Sequence, residues 1–192
     1  MYERAFADAI SFDSFLEEVE ANRDLWQALA KRARIAPDLA ARVQETPGRW
    51  RLLAIAEDWC GDAVNILPVI ERLSEAVDGL ELGIVGRDDH PELMDRHVTN
   101  GGRAIPIVIL LDEEGSCRGW WGPRPSALQA WFEREGRDLP KVERYRELRR
   151  RYARDRGQAI AREIADLILR GAGDDPAASS GGFRPCARSR AA

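Results

Sequence analysis

Residues 50–73 read WRLLAIAEDWCGDAVNILPVIERL, and two patterns meet in them. Trp50 to Glu57 is an apolar run of strand length, as expected for a strand covered on both faces. From Gly61 to Val77, the residues Val64, Leu67, Ile70, Leu73 and Val77 recur on one helical face, and Asp78-Gly79 closes the segment as a turn. A strand that runs straight into a helix places Cys60 at the helix's first turn with its thiol partly exposed. Unpaired backbone N–H groups and the helix dipole favour negative charge there, so the thiol pKa is expected to fall from about 8.5 toward neutrality.

Toward the C-terminus, Leu80 to Gly86 is a second strand-like run, and Asp89-His90-Pro91 reads as the cap and first position of a helix through Leu93, Met94 and His97. Ile105 to Leu111, the turn Asp112 to Gly115, and Ser116 to Trp121 read as a hairpin. Ser126 to Glu133 reads as a helix after Pro123 and Pro125. Lys141 to Arg170 is one long helical stretch carrying Val142, Tyr145, Leu148, Tyr152, Ile160, Ile164 and Leu167, with a bend at Gly157. Toward the N-terminus, residues 11–45 are helical. Ser14 and Glu17 have capping-box spacing, Phe15, Leu16, Val19, Leu25, Trp26 and Leu29 form the apolar stripe, Pro37 starts a second helix, and Pro47-Gly48 stops it.

The order defines an α/β chain with one domain over residues 1–170: a core at about 50–136, an N-terminal helical extension at 11–47 and a C-terminal helix at 141–170. From Gly171 the composition turns to Gly, Ala, Ser and Pro, and residues 171–192 are expected to form a disordered tail.

Composition narrows the function classes. The chain has 192 residues, 44% of them hydrophobic, and a net charge of −4. It can bury a core, and it has no overall attraction to a phosphate backbone, so nucleic acid is not the expected partner. The longest purely apolar run is the seven residues Ile105 to Leu111, whereas a membrane helix needs about 20. The first residues hold Glu3, Arg4, Asp8, Asp13, Glu17 and Glu18 without an apolar stretch, so no secretory signal is read and a cytoplasmic setting follows by elimination.

The three cysteines, Cys60, Cys117 and Cys186, are far apart and lack CxxC or metal-ligand spacing, so neither a disulfide framework nor a zinc site is expected. Cys117 or Cys186 could in principle resolve a disulfide on Cys60. His90 and His97, beside Asp88, Asp89 and Asp95, are explained by helix capping without a metal. Between Lys141 and Arg156, eight basic residues face Glu143, Glu147 and Asp155. Most such runs are solvated helix faces, and Tyr145, Leu148 and Tyr152 read as their buried stripe. Trp120 and Trp121 read as core and groove wall.

The segment Trp59-Cys60-Gly61-Asp62-Ala63 at a strand-to-helix junction, with Ile105-Pro106 before the hairpin, resembles the thioredoxin superfamily. The stretches AEDWCGDA, GRDDHPELMDRHVTNGGRAIP and WWGPRP are similar to a bacterial thioredoxin family subgroup with WCGDA in place of the WCxxC motif and helical extensions at both ends. The resemblance implies a thioredoxin-like fold, a mixed four-stranded sheet flanked by helices. It implies a cis Ile105–Pro106 bond facing Cys60, with the backbone before Pro106 pairing an extended substrate. Cys60 is then the catalytic residue and Trp59, Gly61, Asp62, Ile105 and Pro106 bind substrate, with no metal and no cofactor.

Three departures from that pattern matter. Ala63 stands where the resolving cysteine would be, Asp62 replaces the motif's proline beside Glu57 and Asp58, and Ala54 occupies the position of the family's buried acid. The expected activity is therefore monothiol mixed-disulfide exchange with a disulfide-containing protein or a low-molecular-weight thiol. The alternative is a redox-inactive interaction module whose Trp59, Pro106 and Trp121 groove holds an extended peptide or partner protein. A remoter option is RNA binding through the arginine-rich helix.

Overall fold

A computed structural model describes residues 1–173 and 182–186. Four strands, β1 Trp50–Ile55, β2 Leu80–Val85, β3 Ile107–Leu111 and β4 Cys117–Trp121, form one sheet in the order β2-β1-β3-β4. β1 is parallel to β2 and antiparallel to β3, and β3 pairs antiparallel with β4. β1 is thus central in its neighbourhood. Leu52, Leu53, Ala54 and Ile55 are all buried although successive side chains point to opposite faces, which is why the run is apolar without alternation.

Nine α-helices accompany the sheet among the described residues: α1 Tyr2–Ala7, α2 Phe12–Glu18, α3 Arg23–Arg32, α4 Pro37–Gln44, α5 Ala63–Glu75, α6 Pro91–Asp95, α7 Ser126–Arg134, α8 Lys141–Asp155 and α9 Gln158–Gly171. Residues opposite one another across the ladders share a face. On the face of Gly83, Leu53, Ile109 and Trp120 lies α1, close enough that a Cβ on Gly83 would come within 3.1 Å of Phe6. The other face carries Val108 and Trp121, whose indole N–H donates to Glu163 of α9 at 2.6 Å. Glu163 also accepts from the Ser126 hydroxyl at 2.6 Å and so ties α9 to the start of α7.

Several boundaries differ from the sequence expectation. The N-terminal region is three helices, α2 to α4, preceded by α1, which the sequence pattern did not reveal. The cap of α2 is Ser11, whose oxygen accepts from Ser14 N at 3.1 Å, so Ser14 is the capped residue and not the cap. Leu25 is exposed, as are Val142 and Tyr145. Only Leu148 and Tyr152 of the α8 stripe are buried, because α8 lies at the surface and offers the interior a narrow seam. His90, not Asp89, holds the N-cap position of α6, without a side-chain cap. His97 is buried with Nδ1 2.7 Å from Leu93 O, and burial lowers its pKa.

The expected long C-terminal helix is two helices. Arg156 and Gly157 both take left-handed conformations, φ 55° and 80°, so the chain breaks and does not merely bend. A Cβ on Gly157 would lie 2.7 Å from Val69 Cγ2 of α5. Gly157→Ala is therefore expected to lower the free energy of unfolding by about 2 kcal/mol, combining left-handed strain with overpacking. Urea denaturation checks this, and an unchanged midpoint would mean that the junction relaxes freely.

Of the expected disordered tail, residues 174–181 and 187–192 lie outside the described residues. Residues 182–186 return to the sheet: Arg184 and Trp120 exchange backbone hydrogen bonds at 2.9 Å, and Phe183 is buried. Cys186 forms a disulfide with Cys117 across a Cα separation of 6.0 Å. The absence of a disulfide expected from spacing is thereby corrected, and so is the unpaired state of Cys186. The sequence separation of 69 between the two cysteines carries no local signal, and only the return of the chain to β4 makes them neighbours.

Candidate functional site

The site forms where β1 ends and α5 begins. Cys60 N donates to Glu57 O at 3.1 Å, and Val64 N donates to Cys60 O at 3.2 Å in the turn that leads into α5, so Cys60 lies two residues before the N-cap Asp62 and not within the helix's first turn. Cys60 Sγ accepts from Ala63 N at 3.5 Å and lies 3.4 Å from Ile105 O, to which its S–H donates. The Ile105–Pro106 peptide bond is cis, so the sulfur faces the carbonyl of that bond. A second cis bond, Gly122–Pro123, leads into the Arg124 loop.

The thiol was expected to be partly exposed and acidified. Cys60 is instead only 7% exposed, its side chain turned inward onto the Ile105 carbonyl. Burial pushes its pKa up, and the Asp62 carboxylate adds to this. The N–H groups of Ala63 and Asp62 and the Arg124 guanidinium pull the other way without prevailing. The helix-start effect is present, but desolvation outweighs it.

Asp62 is the residue whose surroundings the sequence disclosed least. Its side chain is buried, with Oδ2 2.6 Å from Arg124 Nη2 and Oδ1 accepting from the Tyr152 hydroxyl at 2.8 Å. Burial raises the Asp62 pKa although Arg124 and Tyr152 both act to lower it. Arg124 also stacks over Phe132 at 4.1 Å and donates to Gln129 Oε1 at 3.0 Å, while its Nε is buried without a partner. Arg124 and Tyr152 were thus missed as neighbours of the cysteine. Arg124 stands in the quoted WWGPRP stretch, but nothing local marks it as a counter-ion. Tyr152 lies 90 residues from Asp62 in sequence.

The other acids of the motif point elsewhere. Asp58 Oδ2 accepts from the backbone N–H groups of Glu20 and Ala21 at 2.9 and 2.8 Å, and Asp58 O accepts from Trp26 Nε1 at 2.9 Å. Glu57 Oε1 accepts from Arg87 N at 2.7 Å. Both serve to fasten the N-terminal extension and the segment after β2. Glu57 thus offers no inward acid, and Ala54 leaves the strand position apolar. Trp59 is 52% exposed under the Arg87 guanidinium at 5.2 Å, and a Cβ on Gly61 would meet nothing within 4 Å. Trp59 and Gly61 make the open rim, whereas Cys60, Ile105 and Pro106 lie buried beneath it.

These directions set an expectation for reactivity. At neutral pH Cys60 should alkylate more slowly than an ordinary exposed cysteine, its rate rising as pH climbs through and beyond the usual thiol range. Asp62→Asn removes the nearby negative charge but keeps the shape, and should raise the neutral-pH alkylation rate of Cys60 by about three- to tenfold. A rate profile indistinguishable from the parent would show that Asp62 does not act on the sulfur.

A strand-helix-strand unit, a hairpin entered through a cis-proline and a cysteine at the mouth of the first helix define a thioredoxin-like protein. A family model described as thioredoxin matches residues 9–139, more than half of the chain, and the protein belongs to that family. It is 32% identical over 62 residues to a thioredoxin from Chlamydia caviae, an alignment covering 32% of this chain and 58% of that one. The match therefore spans little more than half of the relative's length. Among solved structures, a protein of unknown function from Pseudomonas aeruginosa superposes with TM-score 0.71 at 21% identity, over 88% of this chain and 96% of that one. An HIV epitope scaffold superposes with TM-score 0.68 at 21% identity, over 88% of this chain and 97% of that one. At these identities the two structures attest the fold alone. No described helix is long and apolar enough to cross a membrane.

Proposed function

We propose that this protein performs thiol–disulfide exchange through Cys60 as a monothiol. The observation that carries the reading is the Cys60 sulfur set against the Ile105 carbonyl at the cis Ile105–Pro106 bond, with Ala63 in the resolving position. Cys60 is also the free cysteine, since Cys117 and Cys186 are bonded to each other. The Cys60 thiolate attacks one sulfur of a partner disulfide, a mixed disulfide forms, and the other partner sulfur leaves as a thiolate. A second thiol, from a low-molecular-weight compound or a protein, then takes the partner sulfur and returns Cys60 to its reduced form. Trp59, Gly61, Asp62, Ile105 and Pro106 constitute the substrate-binding residues of this reading, Asp62 from within. The setting is cytoplasmic and the partners are disulfide-containing proteins or small thiols.

Intact-mass analysis after exposure to glutathione disulfide tests this. One adduct on Cys60, retained without a second thiol and absent from Cys60→Ser, is the expected result. No adduct on Cys60 would overturn the proposal. Ala63→Cys supplies the missing resolving thiol next to the sulfur, and turnover in dithiol-driven insulin reduction should rise at least about tenfold over the parent.

A second reading is favoured by one observation, the burial of Cys60 with its pKa raised. In it the chain is a redox-inactive interaction module that holds an extended peptide in the groove at Trp59 and Pro106. Peptide capture that survives Cys60→Ser unaltered would select this reading.

A further inference from the structure

A cavity of about 700 Å³ opens between α7, α8 and α9, and its lining includes Tyr152 but none of Trp59, Cys60 and Asp62. Arg150, Arg151 and Arg154 of α8 and Arg162 of α9 line it, against two carboxylates, Glu147 and Asp155. In a chain whose net charge is −4, this is a local reversal of sign.

A run of basic residues is ordinarily a solvated helix face, but here the carboxylates are already engaged. Glu147 Oε1 lies 2.9 Å from Arg151 Nε and Glu147 Oε2 lies 3.9 Å from Arg150. The Asp155 carboxylate accepts from Ala159 N at 3.0 and 3.3 Å across the break before α9. The Arg151 guanidinium is held over the Trp131 ring at 4.2 Å. Arg154 and Arg162 have neither an ion pair nor a hydrogen bond among the described residues, and both are exposed in the cavity wall. Glu147 thus offsets Arg151 and, more weakly, Arg150, whereas Arg154 and Arg162 face the concave space without an acidic partner among the described residues, and four guanidiniums against two carboxylates leave the lining net positive. Planar guanidiniums bind phosphate oxygens two at a time. Pro125, Leu128 and Ala159 add an apolar wall suited to the body of an organic molecule.

We propose that this cleft binds an organic phosphate of about nucleotide size. Arg154 and Arg162 grip the phosphates, Arg151 is pre-oriented by Trp131, and the wall formed by α7 and α9 takes the organic part. Arg154 and Arg162 make no hydrogen bond or ion pair to Asp62 among the described residues, while Tyr152, which also lines the cleft, donates to Asp62 Oδ1 at 2.8 Å.

Isothermal titration of the full chain with ADP as the probe tests the assignment. Saturable binding with a dissociation constant of about 10–100 μM is expected, weakening as salt rises. In Arg154→Ala with Arg162→Ala the affinity should drop at least about tenfold, whereas Arg23→Ala with Arg32→Ala, the same loss of charge on α3, should leave it unchanged. Circular dichroism of the variants establishes that each is folded, and both substituted pairs are exposed. Absence of saturation below about 1 mM ADP, or equal binding by the cleft variant, overturns the proposal. Inorganic pyrophosphate bound as tightly as ADP overturns the organic part of it. Tighter binding of a short single-stranded RNA, with affinity that grows with its length, overturns it in favour of a nucleic-acid surface.

Discussion

Arg124→Ala is expected to lower the free energy of unfolding by about 3–5 kcal/mol at neutral pH, the loss typical of breaking one side of a buried ion pair. Asp62 lies buried against Arg124 and Tyr152, and with the guanidinium gone only the Tyr152 hydroxyl remains to support its charge. The pH dependence identifies the cause. Burial already raises the Asp62 pKa in the folded parent. A carboxyl whose folded pKa is raised binds its proton more tightly when folded. It therefore contributes stability below its unfolded value, and that contribution is lost as pH rises through the folded value.

Arg124 is the strongest influence opposing the rise, so its removal moves the folded value further up. The deficit of the variant should be small in acid, where Asp62 is protonated folded or unfolded, and should grow toward neutrality. Urea denaturation at mildly acidic and neutral pH measures this. A deficit independent of pH would assign the loss to the packing of Arg124 on Phe132 and not to charge. Adding Asp62→Asn to Arg124→Ala should recover part of the loss, since it removes the stranded carboxylate.

The second large effect belongs to the Cys117–Cys186 disulfide. It closes a separation of 69 residues, and on a chain-entropy account such a loop contributes about 4 kcal/mol by restricting the unfolded chain. Cys186→Ser should lose stability on that scale. The oxidised parent should fall to the level of the variant when a reductant is added, because the same constraint is lost by either route. If oxidised and reduced parent unfold at the same urea concentration, the bond does not constrain the unfolded chain as described. The loss also bears on the sheet edge: Phe183 and Arg184 are held over Gly119 and Trp120, and the bond anchors them there. In a reducing cytoplasm that anchor would be withdrawn.

What could be read in advance follows the range of each interaction. The apolar run from Trp50, the stripe of Val64, Leu67, Ile70 and Leu73 in α5 and the turn at Asp112 to Gly115 are local patterns, and they led to the strands, the helix and the hairpin in the right order. Gly157 was visible as an interruption, but whether it bends or breaks a helix depends on Val69, far away in sequence. Cys60 was legible as a candidate, while the balance acting on its proton was not. The helix start is a local feature. The Ile105 carbonyl against the sulfur comes from the segment before β3, and the Arg124 guanidinium and the Tyr152–Asp62 bond come from segments after β4.

The fold class and the identity of the candidate sulfur were set by the sequence alone, because periodicity and junction chemistry act over a few residues. Tertiary structure decided the protonation tendency of that sulfur, the inward role of Asp62, the pairing of Cys117 with Cys186 and the arginine cleft. Each depends on groups far apart in sequence that share a place only after the sheet and its helices have packed, and desolvation and charge act through that distance in space.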